Sequence, residues 1–243
     1  MSSIDRLNAV LDDGKQTLSH LGRVLAFVNA SKPEAPLLVL MINNVIVASA
    51  SAVEETIRQL IIEYLTILEE QIGSHSRLPE NLRRSNYEKS VHDLKRILGH
   101  EEVDAVQKLE DLRRCVTGEP DYRLAKASLA NNQGNFKSVQ VTDLAKQIGI
   151  PSIWNSMLND QAVADFVGLD VGPRCVEKFI SDWNDTFVER DTVVHRLSQA
   201  SGWGSDRIER AIEMFTLALM RLTTCLAVDA DRLISDEALF LAR

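Results

Sequence analysis

The chain has 243 residues, a formal net charge of −8, and 45% hydrophobic against 26% charged residues, which is the composition of an ordinary globular protein. With only 11 glycines and 6 prolines, a collagenous or low-complexity chain is excluded, and a many-stranded β-sandwich, which needs frequent turn residues, is disfavoured. An all-α fold is expected.

The amino-terminal segment opens the helical pattern, with Leu7, Val10, Leu11, Leu18, Leu21, Leu25 and Val28 recurring at a helical period over residues 3–29. Ser31-Lys32-Pro33 breaks it. A second helix is predicted over residues 35–72, and its first half, residues 35–53, carries no charge and is about as long as a bilayer is thick. Asn43 and Asn44 at the centre of that stretch, and the absence of a flanking Lys/Arg asymmetry, favour a buried bundle or interface helix over a membrane span.

After Gly73, a polar loop over residues 74–79 leads to two shorter amphipathic helices, at about residues 88–98 and 103–116. Residues 128–137, SLANNQGNFK, read as a functional loop with little to bury. Short helices are predicted at 138–147 and 151–157, and a break at 168–173. From Pro173 the pattern is helical again, with Asp185 as an N-cap candidate for the segment holding Phe187, Val193, Val194 and Leu197. Gly202-Trp203-Gly204 interrupts it, and Ser205-Asp206 open a last long helix to about Ile234. No repeat of helical-solenoid length is visible. The expected architecture is one antiparallel helical bundle over residues 1–243, with residues 74–170 a decorated insertion between the core helices.

Cys115, Cys175 and Cys225 are odd in number and form no C-x-x-C pair, so neither a zinc nor a redox framework is expected and a reducing, cytoplasmic compartment fits. No basic region followed by an apolar core marks a secretory signal near Met1. The phosphate-binding, α/β-hydrolase and zincin motifs are missing. Among the histidines, His20, His75 and His92 read as ordinary polar residues. His100-Glu101-x-x-Asp104 could offer metal ligands on one turn, but nothing else converges on it, and a solvated acidic face is the simpler reading. No metal or other cofactor is expected.

His195 stands apart, because Arg190 precedes it by five positions in RDTVVH. On a helix the two are ~140° apart, flanking a common edge from which a long arginine and an imidazole can both reach a phosphate. On a plain amphipathic helix the same residues would be solvent-facing polar positions.

RDTVVH resembles the R-x4-6-H motif of HEPN ribonucleases, in which a polar residue usually follows the arginine, as Asp191 does here. The likeness extends to one branch, the RiboL-PSP-HEPN domain. Its long apolar helix ending in an acidic residue is similar to LLVLMINNVIVASASAVEE, and its loop with Asn and Phe before a short helix and a glycine to NFKSVQVTDLAKQIGI. The likeness covers nearly the whole chain. Arg196 stands where the family often has a glycine, and Leu197 replaces the tyrosine that is modified in some HEPN toxins.

The resemblance implies a metal-independent endoribonuclease, commonly a toxin or antiviral effector held in check by a protein partner. In such a homodimer two motifs would form one cleft for single-stranded or loop RNA. It assigns His195 as general acid/base, Arg190 as phosphate binder, Asp191 as a polar orienter and Glu54 as a candidate acidic site residue; Arg196, beside the histidine, is expected to join Arg190 in a local positive spot contacting RNA. The competing class is a non-catalytic helical module that binds a protein partner or a nucleotide. A net charge of −8 suits RNA poorly, since non-specific affinity comes from neutralised phosphates.

Overall fold

The computed structural model describes residues 2–31, 33–97, 102–131, 135–150, 152–195 and 201–241, with no strand among them. In chain order the helices are α1 (Ser3–Ser31), α2 (Ala35–Gln71), a 3₁₀ turn (His75–Arg77), α3 (Glu80–Ile97), α4 (Glu102–Thr117), α5 (Lys126–Ala130), α6 (Ser138–Gln147), a second 3₁₀ turn (Trp154–Met157), α7 (Gln161–Val167), α8 (Pro173–His195) and α9 (Ser205–Leu241). The fold is all-α.

Four long helices make the bundle, and their pairings set its direction. Arg6 near the start of α1 meets Glu63 late in α2 at 2.5 Å, and Ser205 at the start of α9 meets Asn29 at the end of α1 at 2.7 Å. Helix α1 is therefore antiparallel to both. Helices α2 and α9 run parallel, as the pairings of Tyr64 with Asp229 and of Gly73 with Glu237 show. Helix α8 is antiparallel to α9, with Glu189 near its end holding Ser201 just before α9 begins. This is an up-down-up-down arrangement in which the two helices of like direction touch across the centre.

The buried apolar residues form one cluster from Leu7 to Ala230. Trp183 sits in its middle, with Phe215 edge-on at 5.2 Å, Phe187 tilted at 5.3 Å and Trp154 edge-on at 5.8 Å. Such edge-on pairs add about 0.5–1.5 kcal/mol beyond area burial. The smaller helices between α2 and α8 pack on these two, α5 against α2 and α6 against α8.

Several elements differ from the sequence reading, each for a physical reason. Helix α3 begins at Glu80, eight residues early, because the face it buries is polar. Asn86 is buried and accepts from Ala125 N at 2.8 Å, and Asp93 accepts from Ser128 Oγ at 2.6 and 2.7 Å. An apolar period cannot reveal such a face. Asp185 is no N-cap. It lies exposed inside an unbroken α8, 3.9 Å from Arg207. Helix α7 was missed because seven residues give barely two turns of pattern, although Asp160 caps it by accepting from Ala162 N and Val163 N. Helix α9 continues past Ile234 to Leu241, where Glu237 is buried and paired with Arg77 at 2.5 Å. The segment at 128–137 does bury side chains, since Leu129, Ala130 and Phe136 are at 0–1% exposure. Its residues 132–134 lie outside the described residues, as do Pro151 and Leu98, which the reading had put in helices.

His75 lies in the interior, not in a solvated loop. Its Nε2 is 3.1 Å from Asn86 Nδ2 and its Nδ1 3.3 Å from Tyr87 Oη, with the Tyr87 and Tyr122 rings packed around it. His20 and His92 are exposed. His100 and Glu101 lie outside the described residues, and among those described no three His, Cys, Asp or Glu side chains are grouped to hold a metal ion. Cys115 and Cys175 are buried and Cys225 half-buried, all as free thiols.

Two measurements test this packing. A Cβ on Gly14 of α1 would lie 2.5 Å from Thr56 Oγ1 on α2. Gly to Ala in an open helix gains about 1 kcal/mol, but here the clash reverses the sign. Gly14→Ala lowers the urea midpoint by the equivalent of about 1–3 kcal/mol, and adding Thr56→Ala recovers part of that loss. For His75, burial, aided by the charge of Arg83, pushes the pKa from 6.5 down to about 4. Between those values the unfolded chain takes up a proton and the folded chain does not, so stability falls as the pH drops from 6.5 toward 4 and is unaffected by this group above that window. The urea midpoint of His75→Gln is less dependent on pH across the window than that of the wild type.

Candidate active site

The last two turns of α8 carry the R-x4-H motif to the surface. Arg190 points toward the bundle, with a side chain 22% exposed, while Asp191 is 27% exposed and His195, at the carboxyl end of the helix, is exposed. Asp191 and His195 stand four residues apart and so share one face.

A second segment comes to meet them. Phe136 is wholly buried, its N–H donating to Glu54 Oε1 on α2 at 3.4 Å and its carbonyl accepting from Trp183 Nε1 on α8 at 2.7 Å. The Arg58 guanidinium lies 4.8 Å from the centre of its ring. Two residues on, Ser138 and Asn184 exchange two hydrogen bonds at 2.8 and 2.9 Å that satisfy the start of α6. Phe136 is thus fixed from two helices, and its neighbours Asn135 and Lys137 are delivered to the motif.

The geometry there is tight. Arg190 Nη1 donates to Asn135 Oδ1 at 2.7 Å and to Asp191 Oδ1 at 3.2 Å. Asn135 Nδ2 in turn donates to Asp191 Oδ1 and Oδ2 at 2.6 and 2.5 Å, and Lys137 Nζ stands 3.5 Å from Asp191 Oδ2. Two cations therefore share one carboxylate, and the cluster carries a net positive charge. Arg190 Nε is buried and has no hydrogen-bond partner among the described residues.

The residues just before α9 are held as well. Glu189 Oε1 accepts from Ser201 Oγ at 2.6 Å and Gly202 N at 3.0 Å, and Asn43 Oδ1, buried in the middle of α2, accepts from Ser201 N at 3.2 Å. The polar residue that interrupts the apolar stretch of α2 thus ties down the chain between the motif and α9.

Of the residues singled out in the sequence, the structure brings Arg190 and Asp191 into contact and leaves His195 exposed on the same helix end. Glu54 is 7% exposed and reaches the site only through the backbone of Phe136. Arg196 and Leu197 lie outside the described residues. Asn135 and Lys137 were missed as individuals. The sequence marks their segment as a functional loop, but more than fifty positions separate them from Asp191, and no spacing rule spans that distance.

A separate cleft of about 330 Å³ between α7, α8 and α9 is lined by Phe166, Lys178, Asp185, Trp203, Arg207 and Arg210. Its cations are already engaged. Lys178 pairs with Asp182, Arg207 lies over Trp203 near Asp185, and Arg210 lies over Phe166 and donates to its carbonyl.

Residues 12–224 match the RiboL-PSP-HEPN family. The chain belongs to that family. No curated protein and no solved structure matches it. In this RiboL-PSP-HEPN protein the matched span takes in α2, the Asn135-Phe136-Lys137 segment and the whole of α8, so every described group in the cluster falls inside it. Membership supports a ribonuclease-like role.

Proposed function

We propose that the protein is a metal-independent endoribonuclease acting on single-stranded or loop RNA. The observation that carries this reading is the end of α8, where an arginine positioned by Asn135 and Asp191 lies on the same two turns as an exposed histidine. RNA supplies its own nucleophile. The 2′-hydroxyl attacks the adjacent phosphorus, a phosphorane forms, and the 5′-oxygen leaves with a proton, giving a 2′,3′-cyclic phosphate. His195 suits both proton transfers because histidine ordinarily titrates near neutral pH. Arg190 suits the phosphorane because a planar fork donates two hydrogen bonds and keeps its charge. Asp191 orients Arg190, Glu54 acts from beneath by holding Phe136, and Arg196 adds charge for RNA.

A single Arg/His pair addresses one side of the reacting phosphate, whereas the attacking and leaving oxygens lie on opposite sides. A second copy would supply the other side. The surface supports one: the most hydropathic window of α2 is only 33% buried, and Leu37 and Leu40 on α2 and Val24 and Phe27 on α1 are 43–66% exposed. By length and composition α2 and α9 could each cross a membrane, but buried Asn43 and the pairing of Tyr64 with Asp229 suit a bundle in water. A cytoplasmic toxin or antiviral effector restrained by a protein partner is the physiological setting that fits. A non-catalytic module that binds a protein or a nucleotide is the second reading, favoured by the engagement of Arg190 with Asp191 inside the molecule.

Two outcomes are expected. Wild-type protein cleaves single-stranded RNA at an unchanged rate in EDTA, and His195→Ala, altered at an exposed position with little effect on stability, loses at least 100-fold in rate. Equal cleavage by both proteins would remove His195 from the chemistry, and inactivity of the wild type would leave the second reading. In sedimentation the active species has twice the 27.2 kDa chain mass, and a purely monomeric active enzyme would exclude a shared cleft.

A further inference from the structure

We infer that Asn135 is a positioning residue, one that sets the guanidinium of Arg190 both directly and through the Asp191 carboxylate. The inference rests on the ribonuclease reading for its effect on rate, but not for its geometry.

The side chain of Asn135 does two opposite things at once. Its oxygen accepts from Arg190 Nη1 at 2.7 Å, and its nitrogen donates to both oxygens of Asp191 at 2.6 and 2.5 Å. Only an amide offers an acceptor and a two-hydrogen donor on one short stem. A carboxylate at 135 would still accept from the arginine but would face Asp191 with like charge, and alanine would do neither. The triangle closes through the direct contact of Arg190 Nη1 with Asp191 Oδ1 at 3.2 Å.

Which partner positions which follows from what else holds each of them. Phe136, next to Asn135, is buried and pinned at both its N–H and its carbonyl, and Ser138 is bound to Asn184. The segment stays in place without help from the Asn135 side chain. Among the described residues Arg190 is held by Asn135 and Asp191 alone, and its Nε is buried without a partner. A long, rotamer-rich side chain is therefore fixed by a rigid one. The Nη1 edge of the fork is used for positioning and Nε is buried, which leaves the Nη2 side of the fork for a phosphate oxygen. Lys137, on the far side of Asp191 at 3.5 Å, keeps that carboxylate from neutralising Arg190 alone.

Fixing an arginine before substrate arrives acts on the chemical step more than on binding, since charge attraction survives when geometry is lost. The test uses Asn135→Ala and Asn135→Asp in the full chain, with thermal midpoints to confirm that both fold. It has two readouts. Without RNA, the side-chain ¹⁵N–¹H signals of Arg190, assigned by their loss in Arg190→Lys, report slow guanidinium rotation in the wild type and faster rotation in both variants. With RNA, single-turnover cleavage falls about 10–100-fold while the Kd for a non-cleavable RNA changes less than about threefold. Adding Asp191→Asn to Asn135→Asp restores an acceptor facing a donor and recovers part of the rate lost by Asn135→Asp alone.

Unchanged Arg190 rotation in Asn135→Ala would overturn the inference, as would a rate loss fully matched by weaker RNA binding. If the wild type does not cleave RNA, the ribonuclease reading fails, and the rotation measurement still decides whether Asn135 fixes Arg190.

Discussion

The hydrogen bond from the Trp183 indole to the Phe136 carbonyl joins the interior of the bundle to its reactive surface. Trp183 is locked among Phe187, Phe215 and Trp154, so its N–H points in one direction only. A buried carbonyl without that donor would cost about 1–3 kcal/mol, and Glu54 meets the neighbouring N–H from the other side. The position of the 135–137 segment is therefore a consequence of core packing rather than of loop preference. The contact of Asn135 with Arg190 is inherited from it.

The same economy appears at the other flank of the motif. Glu189 and Asn43 hold Ser201 and Gly202, one from the helix that carries the motif and one from the centre of α2. A buried asparagine in an apolar helix is costly unless its polar atoms are paired. Here it is paired with a backbone N–H that would otherwise lack an acceptor. Helix α2 therefore contributes to the site twice without presenting a side chain to substrate, through Asn43 at one level and Glu54 at another.

Much of this was legible in the sequence. The apolar periods of α1, α2 and α9, the bounds of α6 and the R-x4-H motif all follow from patterns that local physics writes into the chain. The rest was hidden for two reasons. Helix α3 and His75 bury polar faces, and a polar face satisfied by partners far along the chain looks like a solvated one. Asp185 has the residue type of an N-cap but lies within an intact helix, where side-chain chemistry alone cannot place a boundary. Asn135 and Lys137 became meaningful only when Phe136 was seen to be buried, because a single apolar residue between polar ones gives no period.

Charge remains the constraint against which the ribonuclease reading must stand. A chain of net −8 offers little general attraction to a polyanion, and non-specific affinity scales with the phosphates neutralised. The cluster meets this locally. Asp191 sits between Arg190 and Lys137, so the two cations do not repel each other without compensation, while a surplus positive charge remains. Screening acts over about 8–10 Å at physiological salt, so such a site attracts a phosphate that is already near and does little to draw in a distant strand. Selectivity then depends on how the RNA is presented. A loop or end with splayed nucleotides can bring one phosphate to the end of α8, whereas a long duplex would press many phosphates against an acidic surface. On the ribonuclease reading, weak general binding combined with a fixed arginine would let the protein discriminate at the chemical step, where geometry rather than charge decides the rate.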